Sequence, residues 1–193
     1  RLLGAMAGRS LAGLGYFGVK VALELAGHAL QQGQPGGARA HLATVGDVAA
    51  LGIPPDRAAA RQRLAQLALA EGDADGALHW LAPLADEVLY TEVQAGSCSL
   101  RLAAHLHLGR TDATALALAD HALAGERQGR QLPALARLHL LRTRAAAARL
   151  AGDADTATRC ADAAWALQAR LAASLGRWQA LAPALAERNP MPA

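Results

Sequence analysis

Aromatic side chains make up 3% of the 193 residues, and valine and isoleucine together occur seven times. Strands are normally enriched in both groups, so their scarcity excludes a sheet-based fold and a core filled by large rings. It also argues against single-stranded nucleic acid as a partner, because such binding uses aromatic stacking platforms alternating with cations. Cysteine is nearly missing too: Cys98 and Cys160 stand alone without a C-x-x-C pair. That excludes a disulfide framework or a zinc site and fits a reducing, cytoplasmic setting. The most apolar stretch, residues 11–30, carries Lys20, Glu24 and His28, which argues against a membrane span. There is no Walker loop, H-E-x-x-H, nucleophile elbow or paired-carboxylate signature. The expectation is therefore a chain without catalytic, metal or cofactor chemistry.

What is present is alanine and leucine. Hydrophobic residues reach 53% with almost no rings among them, and Ala, Leu, Arg, Gln and Glu are the favoured helix formers. An all-α fold follows, its core made by close helix approach. The formal charge is +3, and Lys20 is the one lysine beside eighteen arginines. The chain opens on Arg1, which reads as a piece of a longer protein.

Self-similarity gives the architecture. Gly72-Asp73-Ala74-Asp75 returns as Gly152-Asp153-Ala154-Asp155, and Gly33 and Gly109 mark two further turns, so the steps between turn glycines are 39, 37 and 43 residues. A period near 40 is that of helix-pair arrays. Glycine supplies the left-handed residue that ends one helix, and Asp or Thr beside it caps the next. The spacing predicts first helices over 17–32, 56–71, 93–108 and 134–151. The second helices are predicted over 36–50, 74–89, 112–126 and 154–170, with a last helix over 171–187 closing the array. Pro54-Pro55 and the stretch ending at Pro133 separate the pairs, since proline starts helices and blocks their continuation. Pro83 falls inside a predicted second helix and is expected to kink or split it.

Small residues recur where paired helices must touch: Leu25-Ala26, Leu64-Ala65 and Leu102-Ala103 in the first helices, and Ala38, Ala77, Ala115 and Ala157 in the second. In these positions residues 17–170 resemble tetratricopeptide repeats, in the long-period form of large bacterial signal-transduction ATPases and transcriptional activators such as the maltose-regulon activator type. The family's Trp and Tyr are missing from the first helices, and Arg144 stands where its Leu is expected. The resemblance implies a right-handed superhelical solenoid of four antiparallel helix pairs plus a capping helix, a single domain over 1–193, and a role in signalling or transcription regulation.

Other motifs read as structure. Gly13-Leu14-Gly15-Tyr16-Phe17-Gly18 has the G-x-G-x-x-G form, but no strand pattern precedes it. Asp73-Ala74-Asp75-Gly76 looks like a calcium loop without its later ligands and serves as a helix cap. His105 and His107, two apart on a helix, point about 200° apart and cannot share a metal. Cys98 reads as a small buried side chain.

Function is expected on the concave face, which the first helices line in stacked pairs. Projection from the turn glycines puts Lys20 and Glu24, then Gln62, Arg63 and Gln66, then Arg101 and His107, then His139, Arg142 and Arg149 on that face. Five cations against one acid predict a basic groove for a protein or peptide partner, an acidic segment or terminal carboxylate above all. The alternatives are arginines that are simply solvated, self-association through an uncapped end, and a receptor that holds an apolar ligand between helices near Trp80, Tyr90, Trp165 and Trp178.

Overall fold

A computed structural model describes residues 15–85, 91–125 and 132–175. Among these the chain is all helix, with no strand. The helices are α1 (Gly15–Gln31), α2 (Pro35–Ala43), α3 (Pro54–Ala70), α4 (Ala74–Leu81), α5 (Thr91–His107), α6 (Ala113–Ala124), α7 (Ala134–Leu150) and α8 (Ala154–Leu175). No helix among the described residues is long and apolar enough to cross a membrane.

The four turns have one geometry. Gly33, Gly72, Gly109 and Gly152 have φ of 68°, 82°, 63° and 75°, the left-handed region that favours glycine. In each, the residue after the glycine donates its N–H to a carbonyl five residues back: Gln34 to Ala29, Asp73 to Ala68, Arg110 to His105 and Asp153 to Ala148. The glycine N–H bonds three residues back, which completes the Schellman closure that satisfies the last carbonyls of a helix. Asp73, Asp112 and Asp153 then cap the next helix, accepting N–H groups of Gly76, Ala115 and Thr156 at 2.8, 2.7 and 3.0 Å. Asp73 is thus a helix cap, as expected. At the first turn the cap residue Gln34 makes no such bond, and Pro35 starts α2 instead.

Three second-helix boundaries differ from expectation. Helix α2 ends at Ala43, not at 50, because Thr44 turns its hydroxyl back on the His41 carbonyl and Gly46 has a φ of 76°. The chain continues as a short 3-10 turn over Val48–Ala50, capped by Asp47. In the second pair α4 stops at Leu81, and Pro83 lies in a 3-10 turn over Ala82–Ala85, the split its missing N–H imposes. The break expected between 170 and 171 does not occur: α8 runs unbroken to Leu175, since no Gly or Pro interrupts it. The remainder of the expected last helix lies outside the described residues.

Each odd-numbered helix packs on the even-numbered helix that follows it, and each of α2, α4 and α6 also packs on the next odd-numbered one. In addition α1 packs on α3, α3 on α5 and α5 on α7, so the four odd-numbered helices lie side by side. The core is correspondingly divided into successive clusters between neighbouring helices. Ala26, Ala38, Ala65 and Ala77 are fully buried, and Ala115 and Ala157 nearly so, because only a methyl group fits where helix axes approach this closely. Leu81, Leu102, Leu138 and Leu140 are the largest fully buried side chains, each contributing roughly 1.5–3 kcal/mol relative to exposure.

Candidate functional site

The odd-numbered helices together border one cavity of about 350 Å³, lined by Lys20, Leu23 and Glu24 of α1, Asp56, Ala59, Gln62 and Arg63 of α3, Gly96 of α5 and Ala136 of α7. Of the residues expected on a shared face, Lys20, Gln62 and Arg63 meet here, with Glu24 among them. Gln66 joins through Arg63, whose Nη1 donates to Gln66 Oε1 at 2.9 Å.

Local chemistry holds these side chains in place. Asp56 sits in the first turn of α3, is buried, and accepts from Lys20 Nζ at 3.1 Å. A carboxylate there also complements the positive end of the helix dipole. Gln62 ties α3 to α5, its Nε2 donating to the Val93 carbonyl at 2.5 Å and to Ser97 Oγ at 2.8 Å. Gly96 leaves room for that amide: a Cβ at 96 would come to 3.1 Å from Gln62 Nε2. Gly27 does the same for Arg63, because a Cβ there would lie 2.7 Å from the guanidinium carbon. Two glycines therefore make room for these side chains, Gly96 for Gln62 and Gly27 for Arg63.

Arg101 and Arg142 are directed elsewhere. Arg101 Nη2 donates to the carbonyls of Leu81 and Ala82, closing the frayed end of α4 where Pro83 stops the helix. Arg142 Nη2 donates to Gln168 Oε1 at 2.6 Å and links α7 to α8. His107 is the exposed last residue of α5, His139 lies on α7, and Arg149 is exposed in the last turn of α7. None of these five lines the cavity. The cavity is also not one-signed: two cations, Lys20 and Arg63, face two acids, Glu24 and Asp56. The acid overlooked in the sequence is Asp56, masked there by its second role as an expected helix-start residue after Pro54-Pro55.

Arg101 and Arg63 are not equivalent positions, being eight and nine residues before their turn glycines. Counted back eight residues from their turn glycines, Leu25, Leu64, Arg101 and Arg144 are equivalent. The Leu102-Ala103 pair is thus one residue out of step with the other two pairs. Arg144 does in its repeat what Arg101 does in the one before: it reaches the preceding even-numbered helix, bonding Asp120 of α6.

The remaining described candidates do not line this cavity. Cys98 is buried, and desolvation, opposed weakly by Arg101, pushes its thiol up to about 11. No cluster of three metal-ligating side chains occurs among the described residues. Gly15 and Gly18 lie in α1, which opens the described residues, and Gly13 falls outside them. Trp165 is 73% exposed on α8, while Trp80 borders a different cavity. Tyr90 and Trp178 fall outside the described residues. No known protein family matches the chain, and neither a curated protein nor a solved structure does.

Proposed function

We propose that the chain is a non-catalytic binding module in which tetratricopeptide-like helix pairs stack as a solenoid and an extended peptide or protein segment lies across the odd-numbered helices. The observation that carries this reading is the cavity bordered by α1, α3, α5 and α7 at once. A groove built from successive equivalent helices is how stacked pairs hold linear partners. The recurring turn closure and the packing of every odd-numbered helix on the next support the solenoid.

The charge distribution refines the partner. Lys20 is engaged by Asp56, and Arg63 and Glu24 are the other charges of opposite sign that line the cavity. The fitting segment carries a carboxylate for the Arg63 fork and a cation for Glu24, rather than a purely acidic stretch.

Fluorescence polarisation with acidic, basic and mixed-charge decapeptides tests this. The mixed-charge peptides are expected to bind best, and Ala136→Trp, which fills the cavity from its α7 side, weakens them at least tenfold. Arg63→Glu is expected to shift preference away from carboxylate-bearing peptides. Unchanged binding in both variants would exclude the odd-numbered helices as the contact face.

A further inference from the structure

Arg63 crosses α1 at a residue without a side chain. Gly27 is buried inside α1, where glycine is among the poorest helix formers. Unlike the turn glycines it serves no left-handed φ. What fills the space beside it is the Arg63 guanidinium. A Cβ at 27 would stand 2.7 Å from Cζ, 2.8 Å from Nη2 and 2.9 Å from Nε, its three nearest contacts outside the backbone of its own helix. An approach in the plane of the group would meet a nitrogen first. Here Cζ is the closest atom, so the guanidinium lies with its face against residue 27.

Gln66 fixes the same group in rotation by accepting from Nη1 at 2.9 Å. The Nε–Nη2 edge points away from that bond and makes no hydrogen bond among the described residues. Glu24 lines the same cavity, yet no ion pair joins it to Arg63 among the described residues. Two parallel N–H groups held in one plane are the arrangement that takes a carboxylate bidentately.

We infer that Gly27 is a positioning residue for carboxylate recognition: it gives the face of Arg63 room to lie against α1 and so holds the Nε–Nη2 fork in one plane at the cavity. The inference rests on the peptide-binding reading above. Gly27 does not line the cavity, so it acts through Arg63. A methyl group at 27 displaces the far end of a flexible side chain and not backbone, which separates its effect on selectivity from its effect on the fold.

The test compares mixed-charge decapeptides with counterparts in which Gln and Asn replace Glu and Asp. The wild type is expected to prefer the carboxylate peptides about tenfold, as a bidentate charge-assisted contact allows. In Gly27→Ala that preference is expected to be largely lost, while the amide counterparts bind as they do to the wild type. The melting temperature should hold or rise, because alanine is the better helix former. Gly36→Ala, where a Cβ meets nothing within 4 Å, controls for that gain and should keep the full preference. Arg63→Lys retains the charge without the fork. It is expected to lose the preference alone, and adding Gly27→Ala to it should change nothing further. The Arg63 Nε–H proton resonance gives a readout that needs no peptide, and it should shift in Gly27→Ala but not in Gly36→Ala.

A Gly27→Ala variant that keeps the carboxylate preference overturns the inference, as does an unmoved Nε–H resonance, an effect that persists in the Arg63→Lys background, or loss of the fold. A wild type that binds neither peptide set overturns the peptide face itself and this use of Gly27 with it. Equal binding of both sets by the wild type overturns the fork and leaves the face standing.

Discussion

Arg144 is 7% exposed and grips Asp120 with both sides of its guanidinium, Nε to Oδ1 at 2.8 Å and Nη2 to Oδ2 at 3.0 Å. That bond, stronger here than the opposing cost of burial, holds the guanidinium above its ordinary value. Asp120→Ala strands a buried cation and is expected to destabilise by about 2 kcal/mol, the scale of a lost charge-assisted hydrogen bond, moderated because the Asp120 side chain is 53% exposed. The double replacement Arg144→Leu with Asp120→Ala is expected to recover most of that loss, since apolar packing often equals a buried ion pair. Urea unfolding of the two variants checks the order.

The turns were legible because they need residue types that few others replace: a left-handed glycine in all four, and in three of them an acid that caps the next helix. Buried alanines at 38, 77, 115 and 157 were legible for the same reason. The partners of charged residues were not. Lys20 with Asp56, and Arg144 with Asp120, are 36 and 24 residues apart, and whether two such side chains meet depends on how each helix is rotated. Counting residues from a turn fixes that rotation only if the matched positions are in step. The Leu102-Ala103 pair is one residue out of step with Leu25-Ala26 and Leu64-Ala65, so counting from the pairs and counting from the glycines give Arg101 different rotations. Short α2 was hidden by its own continuation, because Val48-Ala49-Ala50 reads as more helix until Gly46 is given its positive φ.

The repeated turns predict a contrast among glycines. Gly72→Ala forces an L-residue to a φ of 82° and is expected to cost about 1–2 kcal/mol. Gly36→Ala lies within α2, where a Cβ meets nothing within 4 Å, and is expected to stabilise by about 0.5–1 kcal/mol. Thermal melts should move in opposite directions for the two.

The caps give a similar comparison. Asp112→Ala removes the 2.7 Å bond to the Ala115 N–H and is expected to cost about 1 kcal/mol. Asp75, whose side chain is 80% exposed and lies 3.9 Å from Arg110, forms a surface pair of the kind that contributes about 0–1 kcal/mol. Denaturant midpoints for Asp112→Ala and Asp75→Ala should separate accordingly, with equal shifts counting against the capping role.

Cys98 should be chemically silent in the folded chain. Its thiol is buried and held at about 11, and thiolate is the reactive form. Burial raises the Cys160 thiol as well, though that residue is less enclosed. Labelling by iodoacetamide at pH 8, followed by mass spectrometry, is expected to be slow at both sites, slowest at Cys98, and fast once the chain is unfolded. Rapid native labelling of Cys98 would contradict its placement in the α5–α6–α7 cluster.

His105 supplies a pH dependence whose sign can be worked out. Its Nδ1 is buried without a hydrogen-bond partner. Burial lowers the imidazole below its ordinary 6.5, Asp112 partly opposes this, and Arg110 and Arg101 add to it. With the folded value depressed, the unfolded chain takes up the proton first. The stability from neutral His105 is therefore complete above about 6.5 and is lost as pH falls through the lower, folded value. His139 shifts in the same direction, through burial and then Arg142. Melting temperatures measured from about pH 7.5 to pH 5 are expected to decline, and His105→Leu, which removes the titrating ring without breaking a bond to Nδ1, should flatten the decline while His139 keeps part of it. A variant profile parallel to the wild type would show that the proton enters elsewhere.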